Sequence, residues 1–144
     1  PENVGFENTC GTIINAAHDG FMTSNGIKHY RRIGLENRGK ILTGQDHFSY
    51  TTGIANPENK LTIRFHLHPS VRASLTRDHD EVLISLPGGT GFRFFSAGAD
   101  MRLEDSVYLG YGHSPISTKQ IVLTRSADEA ETTIEWLMKL EELG

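Results

Sequence analysis

The feature that most constrains the fold is the recurrence of short segments in which apolar and polar residues alternate. From Glu81 to Leu86, for example, Val82, Ile84 and Leu86 share one face, which is the period of a half-buried β-strand. Such segments recur at intervals of roughly 8–14 residues, separated by turn-forming residues, and no long segment has a helical period. About ten strands are predicted: Thr12 to His18, Ile27 to Glu36, Lys40 to Phe48, the central part of Leu61 to Val71, Arg72 to Thr76, Glu81 to Leu86, Phe92 to Ser96, Met101 to Leu109, Ser117 to Thr124, and Thr132 to Leu140.

Many short strands joined by turns are typical of an antiparallel sandwich or barrel. We predict an all-β chain folded as one antiparallel β-sandwich. Its 144 residues suit a single domain. The polar residues 1–10 are expected to form a flexible segment before a sandwich over residues 11–144. For the end of the chain, a helix from Trp136 to Leu143 is the competing prediction.

Composition excludes several classes of partner. The formal net charge is −4, whereas proteins dedicated to nucleic acids usually carry a strongly basic surface. No apolar run approaches the roughly 20 residues that a membrane helix needs. Cys10 is the single cysteine, so no internal disulfide can form. The chain begins at Pro1 rather than Met, and we expect it to be part of a longer protein.

The densest polar constellation is the run Arg-Phe-His-Leu-His-Pro at residues 64–69. In a strand, Arg64, His66 and His68 share one face, at spacings of about 6–7 Å, opposite the apolar face that carries Phe65. Pro69 cannot donate to a ladder and marks a strand end or an edge. These three side chains are the predicted ligand-binding residues.

Three interpretations of this face remain open. The two imidazoles could chelate zinc if a third ligand came from elsewhere in the chain, with Glu104, Asp105 and Asp46 as candidates. The face could instead meet water or a neighbouring domain, or it could contact a sugar or a carboxylate. Because no third ligand lies nearby in the sequence, no metal and no cofactor is assigned.

Other motifs predict structure rather than chemistry. The glycine-rich run at residues 88–91 precedes a strand and lacks the pattern of a phosphate-binding loop, so it is predicted to be a hairpin. The His-Asp-Gly at residues 18–20 is predicted to be a turn. Arg38-Gly39 is predicted to be a hairpin turn, from which the strand Lys40 to Phe48 returns. Glu104 and Asp105 are neighbours on a strand and point to opposite faces, which argues against a glycosidase pair. His29 and Arg31 fall on an apolar face and therefore need polar partners or a bulge. No catalytic residue is assigned.

Several motifs together resemble the C-terminal part of bacterial heparinase II/III-like proteins. The run at residues 64–69 is similar to that family's His-x-His-Pro segment, and residues 103–108 and 120–123 follow it in the same order. Gly26, His29 and Arg31 fit a Gly-x-x-His-x-Arg pattern. The remaining similarities are His18-Asp19-Gly20-Phe21, Gly44-Gln45-Asp46 with Gln45 in place of Glu, Gly91-Phe92-Arg93-Phe94 with Phe92 in place of Trp, and the closing strand Thr132 to Trp136.

This resemblance implies that the chain follows an N-terminal helical toroid and an upstream β domain in a polysaccharide lyase or a lyase-like protein. Such enzymes cleave polysaccharides that contain uronic acid, including glycosaminoglycans, by β-elimination. The family's catalytic groups and its zinc ligands lie in motifs that have no counterpart here, so none is carried over. The implied partners are the toroid and β domain of the same chain and an acidic polysaccharide. The implied location is the cell envelope or periplasm.

The sequence therefore predicts a non-catalytic sandwich that supports a catalytic module and borders its substrate cleft. One alternative is a stand-alone carbohydrate-binding module. Trp136 is expected to be buried, which leaves tyrosines as stacking platforms: Tyr30, Tyr50, Tyr108 and Tyr111. The other alternative is an independent zinc site built on His66 and His68.

Overall fold

The computed structural model describes residues 2–8, 12–18, 26–51, 55–110, 112 and 114–141, with side chains described from residue 26 onward. Within these residues the chain is almost entirely β-structure. The only helix among them is one 3₁₀ turn, Asn37–Gly39. The strands are β1 (Glu2–Asn8), β2 (Thr12–His18), β3 (Ile27–Glu36), β4 (Ile41–Tyr50), β5 (Lys60–His66), β6 (Arg72–Leu75), β7 (Glu81–Ser85), β8 (Gly91–Ala97), β9 (Asp100–Tyr108), β10 (Ile116–Ser126) and β11 (Glu131–Glu141).

The strands form two antiparallel sheets of unequal size. The larger sheet has eight strands in the order β1-β2-β3-β4-β11-β8-β7-β6, and the smaller has three in the order β5-β10-β9. Strand β11 lies between β4 and β8 and so joins an N-terminal meander to the β6–β8 meander. The predicted all-β, antiparallel, single-domain fold is confirmed.

The hydrophobic core lies between the two sheets. Each sheet contributes one apolar face, as period-two alternation requires. At its centre Phe65 of the smaller sheet meets Phe94 and Trp136 of the larger one edge to face, at ring-centroid distances of 5.0 and 4.9 Å. The buried apolar residues of this core are Ile27, Phe48, Leu61, Ile63, Val82, Ile84, Phe94, Met101, Ile121, Leu123, Ala127, Ile134 and Trp136.

Two predicted hairpin turns are confirmed. Between β3 and β4 the chain turns through Asn37, Arg38 and Gly39, which all have positive φ. Between β7 and β8 it turns through Gly88 and Gly89, with φ of 95° and 94°. Because only glycine adopts such values without strain, the glycine-rich run serves this turn.

Two sequence-based expectations differ from the structure. Within the expected flexible segment, Glu2–Asn8 form a strand that pairs with β2. Val4 and Phe6 are the only large apolar residues of this strand, so its alternation is weakly marked. The competing helix at the end of the chain is wrong, because residues up to Glu141 form β11 and pair on both sides. The turn predicted at residues 18–20 lies mostly outside the described residues. In the part of the chain that is described, no helix is long and apolar enough to cross a bilayer.

Candidate functional site

The outward face of the smaller sheet carries the predicted ligand-binding residues. Strand pairing sets Gln120 of the central strand β10 opposite both His66 of β5 and Glu104 of β9. Two residues further along β10, Val122 lies between Arg64 and Arg102. We call this outward surface of β5, β10 and β9, together with His68, the small-sheet face. Arg64 and His66 lie on it as the alternation predicted.

Side chains from the two edge strands meet above the central strand. Arg64 Nη1 lies 3.2 Å from Glu104 Oε2, and Arg102 Nη2 lies 3.1 Å from the other oxygen of the same carboxylate. Val122 beneath them is fully buried although it points away from the core. The aliphatic parts of the two arginines thus cover apolar surface while their charged ends stay in solvent.

The two histidines have separate partners. His66 Nδ1 is 3.2 Å from the hydroxyl of Ser106 on β9. His68 follows the end of β5, and its Nδ1 is 2.7 Å from the hydroxyl of Ser70. The ring of His68 also packs edge to face on Tyr108, with 5.1 Å between ring centroids. The structure therefore brings the three predicted residues to one surface, each paired with a different neighbour.

Gln120 lies beneath this arrangement and is only 9% exposed. Its Nε2 donates to the carbonyl of Asp105 at 3.5 Å, whereas its Oε1 has no hydrogen-bond partner among the described residues. A buried amide oxygen without a donor is uncommon in proteins. Because this oxygen is shielded from solvent, it is not available to a ligand that lies on the small-sheet face.

The described residues contain no group of three or more His, Cys, Asp or Glu side chains placed to hold a metal ion. The three candidates for a third zinc ligand have other partners. Glu104 pairs with two arginines. Asp105 pairs with Lys119, which holds the pKa of this carboxyl below its usual range. Asp46 lies in the other sheet.

Asp46 is the centre of a buried polar cluster that the sequence alone did not locate. Its carboxylate is fully buried on the inner face of the larger sheet. His29 Nε2 and Arg31 Nε each lie 2.6 Å from Asp46 Oδ1. Trp136 Nε1 donates to Oδ2 at 2.9 Å. Adjacent strands supply these groups: Arg31 on β3 faces Asp46 on β4, and Trp136 comes from β11.

The electrostatics of this cluster favour an ionised carboxylate. Burial alone raises the pKa of Asp46, because it penalises the charged form. Hydrogen bonds from His29, Arg31 and Trp136, together with the positive charge of Arg31, outweigh burial and leave the pKa of Asp46 below its ordinary value. A carboxylate held in this state is a structural anion rather than a proton donor near neutral pH.

Packing around Trp136 explains a glycine in the same cluster. A Cβ built on Gly44 would lie 1.9 Å from Cε2 of the Trp136 indole. The absence of a side chain at this position lets the ring lie against strand β4 and point its N–H at Asp46. The ring of His29 is fixed in turn by stacking on Phe48, with 4.4 Å between ring centroids.

One sequence signal did point to this cluster. Alternation placed His29 and Arg31 on an apolar face and so required polar partners for them. The β3–β4 hairpin was predicted from its turn, but the sequence could not provide the pairing of β4 with β11, because Asp46 and Trp136 are 90 residues apart. Residues of three resemblance motifs thus converge on one buried carboxylate: His29 and Arg31, Asp46 itself, and Trp136.

The tyrosines that the carbohydrate-binding alternative relied on are placed unequally. Tyr30 and Tyr108 are 39% and 37% exposed. Tyr50 points its hydroxyl at the carbonyls of Asn56 and Ala127, which anchors a loop. Tyr111 lies outside the described residues. Trp136 is buried, as predicted.

The fold and its motif residues define a C-terminal β-sandwich of the heparinase II/III type. The family described as "Heparinase II/III-like, C-terminal" matches residues 6–137, and the chain belongs to this family. The individual proteins that it resembles are identical to it at fewer than a third of the aligned positions. FtsZ-localized protein C of Caulobacter vibrioides is 28% identical over 132 residues, which cover 88% of this chain and 23% of that protein.

Among solved structures, the heparinase III product of gene BT4657 superposes with a TM-score of 0.74 at 9% identity. A second structure of that product, with methylated lysines, gives the same values. Each match covers 93% of this chain and 20% of the other. At this identity the likeness establishes the fold alone. The chain thus spans about a fifth to a quarter of the length of the relatives it matches.

Proposed function

We propose that this chain is the non-catalytic C-terminal sandwich of a heparinase II/III-like protein, in which it supports a catalytic module that acts on uronic-acid-containing polysaccharide. In the longer protein it would follow a helical toroid and an upstream β domain. The family expectation for such a protein is the cell envelope or periplasm.

The observation that carries the proposal is that both carboxylate oxygens of Asp46 already accept hydrogen bonds from side chains of this chain. β-Elimination needs a base for the C5 proton, an acid for the leaving oxygen and charge neutralisation of the uronate. The one fully buried carboxylate of the described residues is hydrogen-bonded by three side chains and buried in the core, out of reach of a polymer. Its groups are positioned to hold β3, β4 and β11 together.

The small-sheet face is the proposed contact surface. It presents Arg64, His66 and His68 side by side. Interfaces within one chain are relatively polar, so this polar surface is suited to contact a preceding domain. In the proposed arrangement the face meets the upstream module and borders the cleft that holds an acidic polysaccharide.

A direct test is to incubate residues 1–144 with a panel of uronate polymers and record absorbance from the unsaturated product. The expected result is the enzyme-free blank, with an active lyase as positive control. Turnover above the blank would refute the non-catalytic assignment.

A second test uses the longer protein. Replacing Arg64, His66 and His68 by Gln should lower its catalytic activity, or should make this sandwich unfold separately from the upstream module. The matched change Arg77→Gln, in the exposed β6–β7 turn, should not.

A further inference from the structure

The outward face of the larger sheet carries a trough that the proposed function does not use. Strand pairing aligns Gly34, Thr43, Leu137 and Phe95 in one row across β3, β4, β11 and β8. With neighbouring strands about 4.8 Å apart, this row is about 14 Å long. The trough along it has a volume of about 470 Å³, which is within the range of ligand sites.

The depression exists because small residues lie between larger ones. Gly34 has no side chain, while Arg32 and Glu36 project on either side of it along β3 and are exposed. A Cβ at Gly34 would come within 2.8 Å of the Thr43 hydroxyl, so even a methyl group would crowd the floor. The half-buried side chains of Leu137 and Phe95 supply its apolar part.

A polar row runs beside the floor. Strand pairing places Arg32, Gln45 and Glu135 next to one another on β3, β4 and β11. Gln45 Nε2 donates to Glu135 Oε1 at 3.0 Å, and both side chains are exposed. The side-chain oxygen of Gln45 and the second carboxylate oxygen of Glu135 are further hydrogen-bond acceptors. This wall therefore offers acceptors from Gln45 and Glu135 and the guanidinium donors of Arg32.

The charge of the lining selects against a polyanion. One cation, Arg32, is set against two carboxylates, Glu36 and Glu135, and the whole chain has a net charge of −4. A docked amphipathic helix needs a repeated series of apolar anchors, whereas the outward apolar side chains of this lining are Leu137, Phe95 and the small Ala97. A ligand with flat apolar faces, many hydroxyls and no net charge fits both the floor and the wall.

We propose that this trough is a binding site for a neutral oligosaccharide, lying across the strands. Sugar-ring C–H faces pack on Phe95 and Leu137. Adjacent hydroxyls bond to the Gln45–Glu135 pair and to Arg32. The site goes beyond the proposed function, because it lies on the opposite outer face from the small-sheet face and needs no neighbouring module.

The test is an amide-shift titration of residues 1–144 with neutral hexasaccharides (cello-, manno-, xylo- and N-acetylchito-oligomers) and with hexagalacturonate as the acidic probe. At least one neutral probe should bind at millimolar concentration and shift the amides of β3, β4, β11 and β8. Hexagalacturonate should bind at least tenfold more weakly. Three results would overturn the proposal: no neutral probe binds, the acidic probe binds more tightly, or the shifts fall on β5, β9 and β10.

A filling variant separates the site from general effects on the fold. Thr43→Phe places a ring over Gly34, an aromatic–glycine pairing that stabilises sheets, and occupies the trough. Neutral-sugar binding should weaken at least tenfold with no loss of thermal stability. Thr62→Phe makes the same change at an exposed position of β5, and binding should persist. Undiminished binding by Thr43→Phe would refute the site. If Thr43→Phe fails to fold, Gln45→Ala should weaken binding at least threefold, and unchanged affinity would refute the site equally.

Discussion

Two clusters in this molecule use the same kinds of side chain in opposite ways. On the inner face of the larger sheet, Asp46 is fully buried and receives His29, Arg31 and Trp136. On the small-sheet face, Glu104 is part-exposed and pairs with two exposed arginines. Ion pairs at a surface contribute little to stability, whereas breaking a buried pair is costly. The difference teaches that residue type alone does not identify a functional site; burial decides which cluster holds the fold and which is available for contact.

The largest effect should come from Asp46→Asn. This change removes the negative charge that compensates Arg31 and replaces an acceptor oxygen by a donor, so the free energy of unfolding should fall by about 3 kcal/mol. Urea unfolding followed by Trp136 fluorescence measures it. Asp105→Asn is the matched control, since Asp105 is exposed and pairs only with Lys119; it should change little. Equal losses in the two variants would break the contrast between the clusters.

A smaller loss is expected for Gly44→Ala. The new methyl group would overlap the indole of Trp136, and forced overpacking typically costs about 1–3 kcal/mol. The indole N–H should also move away from Asp46. In the control Gly91→Ala the added Cβ meets its nearest neighbour at 3.5 Å, an ordinary contact, so its effect should stay within about 0.5 kcal/mol. Thermal unfolding of both variants tests this, and a Gly44→Ala protein as stable as wild type would contradict the packing described.

The pH dependence of stability sharpens the comparison. Because the pKa of Asp46 is lowered by folding, its contribution is fully present above the unfolded value of about 4. It should be lost as pH falls through the lower native value. Unfolding free energies measured from pH 6 to pH 2 should therefore decline in wild type, and Asp46→Asn should show a shallower decline. If the unfolding free energy declined equally at low pH in the two proteins, Asp46 would not be held in its ionised form.

The smallest effect is expected on the small-sheet face. Arg64→Gln removes a part-exposed ion pair, and such pairs contribute about 0.2–1 kcal/mol before salt screening. The unfolding free energy should fall by no more than this, and the difference should shrink in 0.5 M NaCl, where screening shortens the Debye length to a few ångströms. A loss as large as that of Asp46→Asn would mean that the face holds the fold together.

Much of the fold could be predicted from the sequence because it depends on local signals. Alternation identified most strands, and the glycines of the two hairpins identified their turns. The position of Arg64 and His66 on an outward face followed from the same period of two. The motif resemblance pointed to the family that the match over residues 6–137 confirmed.

The parts of the fold and of the two clusters that could not be predicted depend on which strands lie next to each other. His29 and Arg31 both bind Asp46 of β4, which also accepts a hydrogen bond from Trp136 of β11. Glu104 and Ser106 reach Arg64 and His66 across a central strand. Pairings between residues 40 or 90 positions apart leave no local trace. Strand β1 was missed for a different reason: Val4 and Phe6 are its only large apolar residues, so its alternation is weakly marked.

The most direct test of the contrast between the clusters is the titration of the Asp46 side-chain carboxyl by ¹³C NMR. A structural anion held by His29, Arg31 and Trp136 should titrate below its ordinary pKa of about 4, or stay ionised until the protein unfolds in acid. A carboxyl that titrates above that value, toward neutral pH, would contradict a purely structural role and indicate a group poised for proton transfer.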